Sequence, residues 1–395
     1  MNLYIYPGAK DSMTEYDYII IGGGASGLLL ADALGSDPYF REKRIAIFEK
    51  EPQKGNDRTW CFWEPEAGRF DALLHRKWSV LRFRGPEYDR SIPMQHYTYK
   101  MLRGSDFYRE YHSRIARYPN VEVRFETVTS LKDTGQVARL STEKGDYCAP
   151  RVFSSVSFLP SEHLMQPYPL LQQHFLGWFI RTKEAIFDPD AATFMDFSIP
   201  QKGNTRFMYI LPFSPTEALV EYTLFSETLL AKDEYEEALK SYIHSDLGCE
   251  EYEILETEQG SIPMTVNKFN KADSAHITHI GIAGGWAKPS TGYTFWNTSQ
   301  KVPKLVDALK KDKSLKMSQN SKFWYYDRLL LDVLTRENAE GSKVFLSLFR
   351  NLNPEIILKF LNEETNLAED FRIINNSPKA MFIRAFLKAL LRSSY

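Results

Sequence analysis

Three glycines near the N-terminus have the spacing of a dinucleotide-binding turn. Gly22, Gly24 and Gly27 directly follow a short run of apolar residues and open a second apolar segment. In this pattern the first glycine allows a tight turn, the second lets the backbone approach a pyrophosphate, and the third allows close packing of a helix on a strand. The N–H groups at the start of that helix, at Ala25 and Ser26, would then bind phosphate oxygens.

A carboxylate stands where such a site needs one for a ribose. The apolar strand predicted for Ile45 to Phe48 ends at Glu49. This position is about 20 residues beyond the last glycine, where a carboxylate accepts hydrogen bonds from ribose hydroxyl groups. Strand, glycine turn, helix and strand in this order form a βαβ unit of a parallel sheet. The sequence therefore predicts a dinucleotide site, for either FAD or NAD.

The composition argues against several other classes of protein. The chain has 395 residues, which predicts two or three domains, and its 49 basic and 51 acidic residues give a net charge of -2. A protein that binds nucleic acid through its net charge is therefore not expected. The three cysteines lie far apart and the histidines lack metal-site spacing, so we predict no metal and a reducing, cytoplasmic environment. We also expect no secretory signal and no transmembrane helix.

The predicted elements change in character twice along the chain. Thr205 to Leu211 and Ala218 to Phe225 alternate as strands of an antiparallel sheet do, and Lys232 to Ile243 is predicted to be helical. A parallel-type strand returns at His279 to Ala283 and is followed by a second glycine-containing turn. From about residue 300 onward the predicted helices are Pro303 to Lys311, Phe323 to Arg336, Pro354 to Asn362 and Pro378 to Leu391.

This order resembles FAD enzymes of the glutathione-reductase type and aromatic hydroxylases. In those enzymes a late segment with a G-D-A pattern returns the chain to the flavin. The corresponding segment here begins at Gly284 and has Gly285 in place of the usual Asp. The resemblance implies that Gly284, Thr291 and Gly292 contact FAD. Arg103 occupies a place where flavin hydroxylases often have an FAD-binding arginine, and a surface arginine is the alternative.

The resemblance implies an α/β fold class with three components: a glutathione-reductase-type FAD-binding Rossmann domain, an inserted antiparallel-sheet substrate domain and a helical C-terminal region. The predicted division of the chain is an N-terminal extension (1–15), an FAD-binding domain in three parts (16–75, 97–160 and 276–305), a substrate domain in two parts (76–96 and 161–275) and the helical region (306–395).

Further segments resemble the carotenoid cyclase family, specifically bacterial lycopene β-cyclases. These segments are, in chain order, Asn56 to Trp63, Met195 to Phe197, Phe207 to Thr216 continuing into Leu219 to Thr223, and Ala283 to Phe295. Glu221 falls at the position of a family glutamate, whereas Lys288 replaces a common histidine of the H-P-x-T-G-Y motif.

The resemblance implies an enzyme that cyclises the ends of lycopene and other acyclic carotenoids. The implied cofactor is reduced FAD. NAD(P)H would be needed to reduce the FAD, but the reduced FAD would undergo no net redox change during the cyclisation. Protonating an isolated double bond requires a carboxylic acid with a raised pKa, electron density near the cation and exclusion of water. FAD-dependent monooxygenases or reductases of polyprenoids are the main alternative. A flavin- or carotenoid-binding carrier, which needs no acid, is a further one.

Two carboxyl groups are the candidates for this chemistry. Glu221 shares a predicted strand face with Leu219 and Thr223, so we expect it to point inward and to act as the acid, the alternative being an exposed strand glutamate. Asp196 is expected to lie nearby, where it would orient Glu221 or stabilise the cation, the alternative being a strand-end or turn residue. The aromatic residues implied to line the substrate tunnel are Trp60, Trp286, Tyr293 and Phe295.

The C-terminal segment from Phe371 to Tyr395 contains five basic residues and no acidic residue. Arg384, Lys388 and Arg392 form one stripe of a helix. Apolar residues form the opposite face, and these are Phe382, Ile383, Phe386, Leu387, Leu390 and Leu391. This pattern predicts a helix at the surface of an anionic membrane and a peripherally membrane-associated protein. The alternative is a terminal helix that packs on the protein with its basic side in water.

Overall fold

The computed structural model describes residues 13–65, 67–158, 168–267, 269–315 and 321–392. Most of the predicted N-terminal extension lies outside these residues. The strands are β1 Thr14–Glu15, β2 Tyr18–Ile21, β3 Ile45–Glu49, β4 Thr59–Glu64, β5 Arg76–Trp78, β6 Val80–Gly85, β7 Tyr88–Pro93, β8 Thr98–Arg103, β9 Val121–Phe125, β10 Val128–Asp133, β11 Ala138–Thr142, β12 Asp146–Ala149, β13 Arg151–Ser154, β14 Leu171–Thr182, β15 Ala191–Asp196, β16 Thr205–Pro212, β17 Glu217–Ser226, β18 Tyr252–Met264 and β19 Ile277–His279. The helices are α1 Ala25–Ser36, α2 Gly104–Ile115, α3 Lys232–Ser245, α4 Phe295–Lys310, α5 Lys322–Arg336, α6 Gly341–Asn351, α7 Pro354–Leu361, α8 Leu367–Asn376 and α9 Lys379–Arg392.

A five-stranded parallel sheet holds the predicted βαβ unit. Its strand order is β19-β13-β2-β3-β9, and the pairs along it are parallel. The central strands β2 and β3 consist almost entirely of buried apolar residues, as expected for a sheet covered on both faces. Helix α1 connects them and packs against α2 and α4. The prediction of a parallel sheet behind the glycine turn is confirmed.

A seven-stranded sheet forms the second large part of the molecule. Its order is β18-β14-β17-β16-β15-β6-β7, and its pairs are antiparallel except for the parallel pair of β15 and β6. One face packs against α3 through Tyr235, Leu239 and Tyr242. The other face is covered by the C-terminal helices, with Phe349 and Leu358 in the shared core. The protein is thus a mixed α/β structure with one parallel and one mostly antiparallel large sheet, and the predicted domain boundaries remain predictions.

The predicted helices and strands differ from the observed ones mainly at their ends. Helix α4 begins at Phe295 rather than at Pro303, which lies inside the helix. Strand β19 ends at His279, and a short 3₁₀ helix, Gly281–Gly284, occupies the rest of the predicted strand. The positive φ of 60° at Gly281 explains this early end, because a strand cannot continue through that conformation.

Candidate active site

A cavity of about 980 Å³ extends from the N-terminus of α1 to the C-terminal helices. Residues 24–26 line one end, and Glu221 lies along the face of the seven-stranded sheet. Ile374 and Phe386, from α8 and α9, line the other end. The cavity therefore connects the predicted cofactor turn and the predicted acid in one continuous space.

The first glycine turn has the backbone geometry that its spacing predicts. Gly22 has a φ of 96°, and a Cβ atom there would lie 2.1 Å from Ser155 Oγ. A Cβ atom at Gly27 would lie 1.9 Å from the carbonyl oxygen of Gly22, so any side chain there would force α1 away from the turn. The free N–H groups at the start of α1 lie at the cavity wall, where they can bind phosphate.

Glu49 is buried at the end of β3, beside this turn. Its Oε2 accepts a 2.6 Å hydrogen bond from the N–H of Gly23 and lies 2.7 Å from Lys54 Nζ. Burial by itself would raise the pKa of Glu49, but Lys54 and the backbone N–H groups of Glu51 and Gly23 hold that pKa below its ordinary value. Glu49 is therefore an ionised acceptor, as a ribose hydroxyl group would require.

The second glycine segment meets the first at the cavity wall. A Cβ atom at Gly281 would lie only 2.6 Å from Ser26 Oγ. Gly281 and Ile282 line the cavity, and so do Thr291 and Gly292 further along the chain. The chain thus returns to the α1 N-terminus, as the resemblance to FAD enzymes implied.

Gly284 and Trp286 do not line the cavity, which corrects two of the sequence-based assignments. A Cβ atom at Gly284 would lie 2.3 Å from the carbonyl oxygen of His279, so this glycine serves the turn itself. Trp286 is 3% exposed and packs in the core formed with α1 and α4. Because β19 ends early, Gly281 and Ile282 lie at the cavity shortly after the strand, whereas Gly285 does not line it.

Arg103 lies at the end of β8 and does not line the cavity. Its guanidinium forms an ion pair with Glu256 and lies over the ring of Phe179, 5.3 Å from the centroid. A direct contact between Arg103 and a cofactor stays a prediction.

Buried polar atoms at the cavity wall fit a ligand with hydrogen-bonding groups. Gln173 Oε1 and Thr298 Oγ1 have no hydrogen-bond partner in the described structure, and both residues line the cavity. Buried polar atoms are costly without partners. Together with the glycine turns, these atoms fit the polar groups of a bound dinucleotide.

Glu221 lies inside the cavity, in the middle of β17. It is 9% exposed, and its Oε1 accepts a 2.6 Å hydrogen bond from the hydroxyl group of Thr223. Its cross-strand neighbour on one side is Tyr209 of β16, and on the other side it is Gly177 of β14. The predicted inward orientation of Glu221 agrees with this placement.

Glu258 is a second cavity carboxyl group, which the sequence analysis missed. It lies on β18 opposite Gly177, is 8% exposed, and accepts a 2.6 Å hydrogen bond from the hydroxyl group of Thr59. Glu221, Gly177 and Glu258 thus form one row across three neighbouring strands. The strand alternation of Glu256 and Glu258 was the available signal, but pairing through an intervening glycine is visible only in the register.

The two carboxyl groups interact strongly. Burial raises the pKa of Glu221 well above its ordinary value, and the charge of Glu258 and their mutual hydrogen bond raise it further, against the Thr223 hydroxyl group. Burial also raises the pKa of Glu258, although Thr59 and the bond with Glu221 oppose this. The pair can therefore keep a proton at neutral pH, and Glu221 is its favoured holder.

Asp196 does not lie beside Glu221, so that expectation was wrong. Asp196 pairs with Met208 on β16, whereas Glu221 pairs with the next residue, Tyr209, and neighbouring residues of a strand point to opposite faces. The Oδ2 atom of Asp196 accepts hydrogen bonds from Tyr242 at 2.6 Å and from Arg84 at 2.7 Å. Asp196 therefore anchors α3 on the far face of the sheet.

Aromatic side chains form part of the cavity wall and of the layer directly behind it. The hydroxyl group of Tyr99 hydrogen-bonds to Tyr209 and, at 3.1 Å, to Tyr293. Trp60 stacks on Phe295 with ring centroids 5.1 Å apart. Of the four aromatic residues assigned from the sequence, Trp60, Tyr293 and Phe295 line the cavity. Burial raises the pKa of each of the three tyrosines, so these walls are uncharged at neutral pH.

The outer end of the cavity lies in an exposed apolar surface. Phe371 is 68% exposed, and Ile383 and Phe386 are exposed as well, although all three line the cavity. Helix α9 packs on α5 through a different side, which includes Met381 and Ala385. The alternative prediction, a terminal helix that packs on the protein, thus holds for the side of α9 that faces α5. The side chains of Leu390 and Leu391 lie outside the described residues.

Within the described ranges, none of the helices combines the length and the apolar character needed to cross a bilayer.

A protein-family model matches most of this chain. The family model described as "Lycopene cyclase protein" matches residues 17–390. The chain belongs to this family. The resemblance identified from the sequence motifs is therefore confirmed.

Curated lycopene cyclases are similar at low identity. A lycopene beta-cyclase of Paracoccus sp. (strain N81106 / MBIC 01143) is 24% identical over 391 residues, which cover 92% of this chain and 94% of that protein. A lycopene beta-cyclase of Pantoea ananas is 26% identical over 296 residues, or 71% of each chain.

Several solved structures share the overall fold of this chain. A flavoprotein/dehydrogenase from Cytophaga hutchinsonii aligns with a TM-score of 0.62 at 15% identity, covering 95% of this cyclase-family chain and 100% of the other. A geranylgeranyl bacteriochlorophyll reductase-like protein from Thermoplasma acidophilum aligns with a TM-score of 0.60 at 13% identity, covering 94% and 99%. At these identities the likeness shows the fold alone.

Proposed function

We propose that this chain is a lycopene β-cyclase, which converts the ψ-ends of lycopene to β-ionone rings, through γ-carotene to β-carotene, in a redox-neutral acid/base reaction. The observation that carries the proposal is Glu221, a buried carboxyl group with a raised pKa in an apolar cavity. A protonated carboxylic acid in a water-poor site is what an unactivated double bond requires. The family relationship supplies the substrate class.

In the proposed reaction Glu221 donates its proton to C2 of a ψ-end. The next double bond then attacks the resulting tertiary cation and closes the ring, and loss of the proton at C6 forms the ring double bond. Every atom of the substrate is kept and no electrons are consumed. The aromatic wall at Trp60, Tyr293 and Phe295 keeps water away and offers π-electron density to the cation, at about 0.5–2 kcal/mol per ring.

We propose FAD as the cofactor of this glutathione-reductase-type fold. The α1 N-terminus with Gly22, Gly24 and Gly27 would hold its pyrophosphate, Glu49 its ribose, and Thr291 and Gly292 its polar ring edge. Reduced flavin, primed by NAD(P)H, would supply negative charge near the cation without net electron transfer.

The test is the conversion of lycopene by purified chain supplied with FAD and a reductant. In heavy water, we expect deuterium at C2 of each ring and no stoichiometric consumption of NAD(P)H. Glu221→Gln should lower kcat by at least about 100-fold, because it removes the acid. The matched control Glu253→Gln, an exposed glutamate on β18, should retain full activity.

Other outcomes would contradict the proposal. NAD(P)H oxidised one-for-one with product, or product of altered hydrogen or oxygen content, would indicate the alternative reductase or monooxygenase. Unaltered lycopene together with bound flavin would indicate a carrier. Full activity of the Glu221→Gln variant would assign the acid to another group.

We also propose that the exposed apolar surface around the cavity mouth rests on a membrane, where a carotenoid dissolves. Ile383, Phe386 and Leu387 of α9 and Phe371 and Ile374 of α8 are its exposed residues. The basic residues of the same segment would favour anionic lipid. On this proposal the protein associates peripherally with the cytoplasmic surface of a membrane.

Vesicle co-sedimentation tests this surface. Removal of the chain after Ser377 would also remove the α9 contacts with α5, so the sharper variant is Phe386→Ser with Leu387→Ser. We expect it to bind vesicles of phosphatidylcholine with phosphatidylglycerol more weakly than the unaltered chain. Leu229→Ser, at an equally exposed leucine away from the cavity, is the control. Equal binding by all three proteins would refute the proposed surface.

A further inference from the structure

We propose that Glu221 and Glu258 share one proton and that Glu258 is the base of the same reaction. Glu258 would accept the proton from C6 after ring closure and return it to Glu221 for the next turnover. This inference rests on the proposed function, which names the reaction but not the group that removes the proton.

The sheet register builds this pair. Glu221 and Glu258 are separated by a single residue, Gly177, which pairs with both. A Cβ atom at Gly177 would lie 3.3 Å from the Cβ of Glu221 and 2.8 Å from a methyl group of Leu219. Side chains two strands apart normally have another side chain between them. Because Gly177 has none, the two carboxyl groups can hydrogen-bond to each other.

Two threonine hydroxyl groups leave room for this shared hydrogen bond. Thr223 donates to Oε1 of Glu221, and Thr59 donates to Oε2 of Glu258. The described hydrogen bonds thus use one oxygen atom of each carboxyl group. Both hydroxyl donors favour an ionised acceptor, so they hold the two carboxyl groups in place without deciding which of them carries the proton.

The groups that face the pair from the neighbouring elements are mostly uncharged. Cys61 of β4 and Tyr293 lie close enough to feel the charge of Glu221, and burial raises the pKa of both, to about 12 for Cys61. Glu256 and Arg58 act on Glu258 with opposite signs. One shared proton therefore removes one of the two negative charges that the buried pair would otherwise carry.

The proton balance closes over one ring. The O–H bond of Glu221 breaks as the C–H bond at C2 forms, which leaves two carboxylates beside the cation. The C–H bond at C6 then breaks, its electron pair becomes the ring double bond, and its proton goes to Glu258. Transfer of that proton through the shared hydrogen bond restores Glu221.

The pH dependence of kcat separates this role from a structural one. In the unaltered protein we expect an alkaline limb, where Glu221 loses its proton, and an acid limb, where Glu258 gains one. Glu258→Gln removes the like charge that helps Glu221 keep its proton. We therefore expect kcat to fall by at least about 100-fold, the acid limb to disappear and the alkaline limb to move to lower pH.

Two companion variants control for general damage. Glu258→Asp keeps a carboxyl group, so it should recover part of kcat and restore the acid limb. Glu253→Gln lies on the same strand but is exposed, and it should leave the profile unchanged. A Glu258→Gln variant with the pH profile of the unaltered protein would overturn the proposal.

Infrared spectroscopy without carotenoid tests the shared proton independently of turnover. The unaltered protein should keep a protonated carboxyl band at neutral pH. Glu221→Gln should abolish that band, and in Glu258→Gln it should disappear at lower pH than in the unaltered protein. Absence of any such band would overturn the shared proton. If the band behaves as expected but lycopene is never cyclised, the shared proton is supported and the proposed function fails instead.

Discussion

Replacement of Lys288 by Met should destabilise the protein strongly, and the size of the effect should depend on pH. Lys288 is 2% exposed, and its Nζ lies 2.8 Å from Asp327 of α5 and 2.9 Å from Glu363, which follows α7. These two ion pairs therefore connect the C-terminal helical region to the segment that follows β19. Burial would lower the pKa of Lys288, but these two acids raise it above its ordinary value, so the side chain is charged.

The magnitude follows from what Lys288→Met leaves behind. Asp327 is 3% exposed and would keep no cationic partner there, and breaking a buried pair from one side costs about 3–5 kcal/mol. Burial already raises the pKa of Asp327 despite Lys288, and loss of the ammonium group raises it further. A carboxyl group with a folded-state pKa above its unfolded value stabilises the fold below the unfolded pKa and loses that contribution as pH rises through the folded one. The cost should therefore be small near pH 4 and largest at neutral pH.

Urea unfolding of both proteins between about pH 4 and 7 measures this difference. Two further variants sharpen the result. Lys311→Met breaks an exposed pair with Asp307 and should leave the free energy of unfolding almost unchanged. Adding Asp327→Leu to Lys288→Met removes the stranded acid and should recover much of the loss. A cost for Lys288→Met below about 1 kcal/mol at neutral pH, or one that does not change with pH, would refute the reasoning.

Three further predictions follow from other sites. Gly27→Ala should abolish FAD retention, measured by absorbance after gel filtration, because its methyl group would lie 1.9 Å from the Gly22 carbonyl oxygen; retention of FAD would contradict the packing role. Asp196→Asn should lower the free energy of unfolding by about 1–3 kcal/mol through its bonds to Arg84 and Tyr242, yet leave the pH profile of kcat unmoved, and an altered profile would return Asp196 to the reaction. Cys61 should react with iodoacetamide at pH 8 much more slowly in the folded than in the unfolded chain, since burial raises its pKa to about 12, and equal rates would show an accessible thiolate.

The sequence predicted those parts of the site that depend on local pattern. Gly22 and Gly27 identify the turn because a side chain at either position would collide with neighbouring atoms, and Glu49 follows at the distance that the motif predicts. Glu221 could be oriented by strand alternation.

Features that depend on the pairing of distant strands could not be predicted in this way. Asp196 was assigned to the wrong face because a bulge in β15 and the register with β16 decide where its side chain points. Glu258 was missed because its partner lies two strands away across Gly177. Trp286 matched a motif, but the 3₁₀ helix before it turns its ring into the core.

The order of strands in the parallel sheet has a consequence for how the chain folds as it is synthesised. β13 pairs with β2 on one side and with β19 on the other, so the sheet is complete only after residue 279 has been made. The local unit of β2, α1 and β3 can form early, but contacts between such distant segments carry a large loop-closure cost and form late. All strands of the seven-stranded sheet are therefore synthesised before the parallel sheet receives its edge strand. A ribosome-bound chain that ends before about residue 292 would lack Thr291 and Gly292, so the proposed cofactor site is complete only after most of the 395 residues have been synthesised.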